Sequence, residues 1–289
     1  MNWLYLGCIS LVAFSTINIF DRKFLGEFKI HPMVFPAIAT TLGTFFTFIL
    51  TLIIIGWPQE IPMNVIYYGI IIGIFNFTSS SFFYWSLSQA SLAKVIALDR
   101  IKLIISLIIA VLFFQEKFIW LWIPGAVLIL FGNYLLIKKS NSISTKLELG
   151  ALLMLISGFI GGFQIIPEKI GVTIGLPILV ALVASVTRSI LYILTAVIFR
   201  RHHFKHFFSR LRVVKWSMAL LFRSFCSASG WVAFYYALNL ALISKITPLL
   251  QLRPVLTIFF AWFFLKEKAT NKRLFATIVI TIGALLIIL

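Results

Sequence analysis

The chain has 289 residues, a hydrophobic fraction of 61%, a mean hydropathy of +1.07 and only 11% charged residues. A soluble domain of this size carries roughly twice that charge, so the composition excludes a soluble protein and requires an integral membrane protein with its apolar surface in lipid. The net charge of +17 is large for so little exposed surface, and it divides between loops that meet anionic headgroups and positions inside the spans.

A hydrocarbon core needs about 20 apolar residues per helix, and the sequence predicts ten such segments at roughly 2–20, 32–56, 64–87, 91–114, 118–138, 148–167, 176–200, 214–238, 242–265 and 271–289. Runs this long suit helices and not barrel strands, so the fold class is all-α integral membrane. The first segment lacks a basic n-region and an A-x-A site and reads as a retained span. Turn chemistry marks the breaks, at His31-Pro32, Trp57-Pro58, Ile61-Pro62, Lys138–Lys146 and Gly171–Pro177. The stretch Arg200–Lys215, with His202, His203 and His206, reads as a basic amphipathic interfacial loop on anionic lipid. A metal site there would need a carboxylate or thiolate that the neighbouring sequence does not supply. Cys8 and Cys226 lie in apolar segments and read as small buried hydrophobes.

Phe83–Ile137 and Phe234–Ile288 are two copies of one stretch, superposing without a gap at a shift of about 151 residues. Lys94 falls on Lys245, Lys102 on Arg253, Glu116 on Glu267, Lys117 on Lys268, and Gly132 on Gly283. Apolar coincidences mean little in such a chain, but charged ones beside apolar runs mark an internal duplication. The halves are 1–140 and 141–289, with five spans each. Because five is odd, the second copy enters the membrane upside down, giving two inverted five-helix repeats. Loops after the odd-numbered spans hold most of the Lys and Arg, which places both termini outside by the positive-inside rule.

Charges inside spans are costly and face a wet cavity or a partner. The fourth span holds Asp99, Arg100 and Lys102, the seventh Arg188, the eighth Arg223 and the ninth Arg253. At about 100° per residue, Asp99 lies within about 60° of Lys102 and can pair with it, whereas Arg100 points about 160° away. Lys102 and Arg253, equivalent in the repeat, are expected to face one volume as a dibasic site partly neutralised by Asp99. Arg's fork and Lys's point charge suit a carboxylate or phosphate. Tyr84, Trp85, Tyr235 and Tyr236 are candidate aromatic walls, and Gln164 is a polar candidate on the sixth span. Asp99 reads either as a static counter-ion or as the carrier of a coupling proton. Glu116 and Glu267, in turns, read as cap or loop residues. Small residues at Thr78–Ser81 and Ser229-Gly230 allow close helix approach.

The segments Tyr236-Ala237-Leu238, Arg253-Pro254-Val255, Phe264-Leu265-Lys266-Glu267-Lys268 and Gly283, with Trp85-Ser86-Leu87, Phe114-Gln115-Glu116-Lys117 and Gly132 in the first half, resemble the EamA family of the drug/metabolite transporter superfamily. The first half departs from it in Lys102-Leu103, where a Pro-Val pair is usual, and Gln115 and Lys266 replace the usual Gly before each Glu. The resemblance implies secondary transport by alternating access, a central cavity lined by the first, third and fourth spans of each half, and termini in the cytoplasm. The expected function is secondary transport of a small anionic or zwitterionic metabolite, with a flippase for a phosphate-bearing lipid or amphiphile as the alternative. The expected location is the cell membrane, the bacterial inner membrane or its equivalent. The expected partners are a small-molecule substrate, the bilayer and a coupling proton or counter-substrate, without nucleic acid or a cofactor. Neither H-E-x-x-H, G-x-S-x-G, C-x-x-C nor a P-loop occurs in the sequence, so an enzyme is not expected.

Overall fold

The computed structural model describes residues 2–26, 34–89, 98–136, 145–211, 214–265 and 271–288. These form α1 (Trp3–Gly26), α2 (Val34–Ile55), α3 (Met63–Gln89), α4 (Ile101–Leu112), α5 (Trp122–Leu136), α6 (Thr145–Phe163), α7 (Ile165–Ile174), α8 (Pro177–Leu211), α9 (Val214–Leu240), α10 (Ile243–Leu250), α11 (Arg253–Leu265) and α12 (Asn271–Ile288). No strand occurs among the described residues. Among the described residues five stretches are long and apolar enough to cross a membrane, including the one formed jointly by α6 and α7.

The helices fall on the expected segments, with four differences: the fourth segment carries a turn at Arg100 just before α4, and the other three have local causes. The sixth segment divides at Gln164, because Pro167 has no N–H for the Phe163 carbonyl and its ring crowds that carbonyl. It then continues to Ile174, so Lys169 is helical and donates to the Leu238 carbonyl at 2.7 Å. The ninth segment divides at Gln251-Leu252: Pro248 sits inside α10, and Pro254 cannot donate to the Leu250 carbonyl. The expected loop at 200–215 is helical to Leu211, since neither Gly nor Pro interrupts it. Lys94, Glu267 and the side chains of His202, His203 and His206 lie outside what is described. Gly56, at φ +74°, closes α2 in a conformation that suits glycine.

The chain packs as two compact units, Met1–Phe77 with Pro167–Asn239, and Thr78–Ile166 with Leu240–Leu289. Each unit therefore draws on both halves of the sequence.

In the first unit α2 and α8 run antiparallel. Thr44 donates to the Ser185 carbonyl at 3.0 Å, Ser189 donates to Thr41 at 3.2 Å, and Ala37 packs on Tyr192. Glycines spaced four apart bring further helices together. Gly69 and Gly73 of α3 meet Val183, Ala184 and Thr187 of α8, and Gly171 of α7 and Gly175 just beyond its end meet Tyr68 and Val65.

The second unit is built the same way. Gly158 and Gly162 of α6 receive Ile101 and Ile105 of α4. The small-residue reading of the Thr78–Ser81 run holds for Ser79: its hydroxyl donates to the Ser157 carbonyl at 3.0 Å, and Ser157 donates back to the Ser79 carbonyl at 2.8 Å. The duplicated helices α5 and α12 pack antiparallel, Gly125 against Gly283 and Ile287, and Gly132 against Ala276 and Ile280. Glu116 acts as a cap, as its turn position suggests. Its buried carboxylate accepts the Ile243 and Ser244 backbone N–H groups at 2.7 and 3.0 Å, closing the start of α10.

Candidate functional site

In the second unit the charged residues gather where helices begin or break. Arg100 precedes α4, Lys102 lies in its first turn, and Arg253 is the first residue of α11. A helix start presents unsatisfied N–H groups and the positive end of its dipole, which favour anions. Asp99 stands just ahead of α4 and pairs with Lys102 at 2.5 Å, in the i, i+3 geometry read from the sequence. Both side chains are mostly buried, 14% exposed for Asp99 and 30% for Lys102. The Arg100 and Arg253 guanidinium groups lie close enough to act electrostatically on Asp99 and on Lys102. Arg100 turns to the side and donates to the Gln251 amide oxygen. That pair is separated by 151 residues, the shift of the duplication, so it joins two equivalent positions. Lys102 and Arg253 are a second equivalent pair in the same cluster.

The first unit holds a different arrangement. A small recess of about 10 Å³, room for about one water, is lined by Thr47, Asn76, Ser185, Arg188, Trp231 and Tyr235 among others. The Arg188 guanidinium lies 5.7 Å over the Trp231 ring, a cation–π distance. Phe14 braces Trp231 edge-on at 5.2 Å, and Tyr235 adjoins it at 5.7 Å. The buried Tyr235 hydroxyl donates to Glu168 at 3.3 Å, a carboxylate only 4% exposed. The recess thus offers a guanidinium, an amide, hydroxyls and aromatic faces, with a carboxylate just behind the phenol.

The other sequence candidates are dispersed. Arg223 is held by Asp21 in a two-pronged ion pair at 2.8 and 3.0 Å and packs over Phe35. Tyr236 is half-buried on α9. Tyr84 is half-buried against Phe83, Trp85 is 47% exposed, and Gln164 is buried at the break between α6 and α7. Sequence reasoning did not single out Asn76, Trp231 or Gln251. Two of them carried a signal, since Asn76 superposes on Ser227 and Arg100 on Gln251 at the repeat shift.

A family model described as the EamA-like transporter family matches residues 1–138 and 148–289. Among solved structures 29 chains match. One, titled only as the crystal structure of a protein, has a TM-score of 0.78 at 15% identity over 98% of this chain and 94% of its own. At that identity the likeness shows the fold alone. No curated protein matches the chain.

Proposed function

The chain belongs to the EamA-like transporter family, and from that premise we propose that it is a secondary active transporter moving a small anionic or zwitterionic metabolite by alternating access. Its location in this reading is the cell membrane. Ten spans form two inverted five-helix repeats. The antiparallel packing of α2 on α8 and of α5 on α12 supports inversion, because copies related by an axis in the membrane plane run in opposite directions.

The observation that carries the substrate class is the Lys102–Asp99 pair with the Arg253 and Arg100 guanidinium groups in electrostatic range, an excess of cations over the one carboxylate at the starts of two helices. Cations so placed are expensive within a bilayer, and their combined field suits a carboxylate or phosphate. Taken by itself, the recess of the first unit offers a guanidinium at Arg188 and an aromatic wall at Tyr235, with the Glu168 carboxylate behind that phenol. Arg223 serves as a structural ion pair with Asp21.

The test is uptake into proteoliposomes with anionic, zwitterionic and cationic probes. The expected result is uptake of anions or zwitterions, reduced at least about tenfold by Lys102→Ala and by Arg253→Ala, or about 1.4 kcal/mol. Uptake restricted to cations and indifferent to both substitutions refutes the proposal. Scrambling of labelled phospholipid without uptake would replace it with a flippase.

A further inference from the structure

We infer that Asp99 is a resident stand-in for the transported anion: its carboxylate holds Lys102, with Arg253 in electrostatic range, and the substrate's own carboxylate or phosphate binds by displacing it. The inference rests on the transporter reading and adds a specificity-determining role to one residue of its site.

Three observations carry it. First, Asp99 is in contact with Lys102 at 2.5 Å and within the field of both arginines, as an external anion bound to these cations would be. Second, the pair is not sealed within the protein, because the Lys102 side chain keeps 30% of its surface exposed. Third, the carboxylate is not required by the fold's duplication. The equivalent of Asp99 is Leu250, whereas the cations at Lys102 and Arg253 occur in both copies.

A carboxylate exchanged for another oxyanion keeps the cluster's charge compensated throughout. The empty carrier can then rearrange without exposing bare cations to a low-dielectric interior, where uncompensated charge is costly. Arg100 is fixed by Gln251 and serves as a stationary part of the field.

The chain has aspartate only at positions 21 and 99. Protein labelled with carboxyl-¹³C aspartate therefore gives two side-chain signals, with Asp21, clamped by Arg223, as an internal reference. Purified wild-type protein in lipid nanodiscs is titrated with inorganic phosphate, with succinate and with choline. The expected result is that phosphate or succinate moves the Asp99 signal and leaves that of Asp21 in place. Asp99→Asn then binds the same anion about tenfold more tightly, because no internal competitor remains. An Asp99 signal unmoved by either anion, movement by choline alone, or Asp99→Asn binding no tighter than wild type overturns the inference. The wild-type titration decides the matter even where the variant does not fold. Tighter binding without uptake in proteoliposomes would remove the transporter reading and leave the displacement standing; uptake with a static Asp99 would do the reverse.

Discussion

Glu116→Ala tests how the second unit holds its broken helix. The start of α10 has Leu242 at the N-cap position, and that side chain cannot accept a hydrogen bond. The missing acceptor comes from Glu116, which lies 127 residues away from Ile243 in sequence and is only 6% exposed. Its two oxygens take the Ile243 and Ser244 N–H groups at 2.7 and 3.0 Å, and both donor residues are buried. Hydrogen bonds to a charged acceptor contribute about 1.5–3 kcal/mol each. Some of that is recovered when water enters the space left by the truncation. The expected cost of Glu116→Ala is therefore about 2–4 kcal/mol, and about half that for Glu116→Gln, which keeps one acceptor oxygen. Unfolding by SDS in mixed micelles, followed by tryptophan fluorescence, measures it. A loss below about 0.5 kcal/mol for the alanine variant would refute the reasoning, since ordinary surface substitutions fall in that range.

Further substitutions follow from the same geometry. Gln115 holds φ +52° on an exposed turn, so Gln115→Gly should stabilise by roughly 0.5–1 kcal/mol in the same unfolding assay. A Cβ on Gly283 would stand 2.7 Å from the Gly125 carbonyl oxygen and 2.9 Å from the Ile129 nitrogen, whereas one on Gly230 would meet only side-chain atoms at 3.0 Å or more. Gly283→Ala should therefore cost about 2–3 kcal/mol and Gly230→Ala less than about 1 kcal/mol. The Asp21–Arg223 pair is 16% and 6% exposed. Asp21→Asn should cost about 3 kcal/mol by leaving a buried cation, while the double change Asp21→Leu/Arg223→Met should cost less than that single change.

Most of the helices were legible because hydropathy over twenty residues has few competing explanations in a chain this apolar. The breaks at Gln164 and Gln251 were less legible, although the causes are written in Pro167, Pro248 and Pro254. A hydropathy window averages over a proline, but the hydrogen-bond ladder does not. The charge cluster was legible through the duplication, since Lys102 aligned on Arg253 without any knowledge of packing. The partner of Arg223 was not, because Asp21 lies 202 residues away beside basic residues that mark a loop. The recess was hidden for another reason. Arg188 was visible as a charge in a span, but its seat over Trp231 depends on α3, α8 and α9 approaching closely, and small residues carry little hydropathy signal.

The duplication also explains why the cluster is asymmetric. In the proposed inverted-repeat arrangement equivalent residues come together near the axis, and the Arg100–Gln251 bond across the repeat shift fits such a place in the second unit. Two arginines meeting there would repel each other in a low-dielectric setting. A guanidinium facing an amide oxygen turns that contact into an attraction, so divergence at this position removes a clash that exact symmetry would impose. Lys102 and Arg253 pose the same problem one step along the helices and meet it differently. Both copies keep a cation, and Asp99, present in one copy only, offsets them. A pair of cations retained at equivalent positions beside a one-sided carboxylate is hard to account for as packing alone, because two apolar residues would serve packing better. It is accounted for if the cations are kept to receive an anion and the carboxylate is kept to hold their place when none is bound.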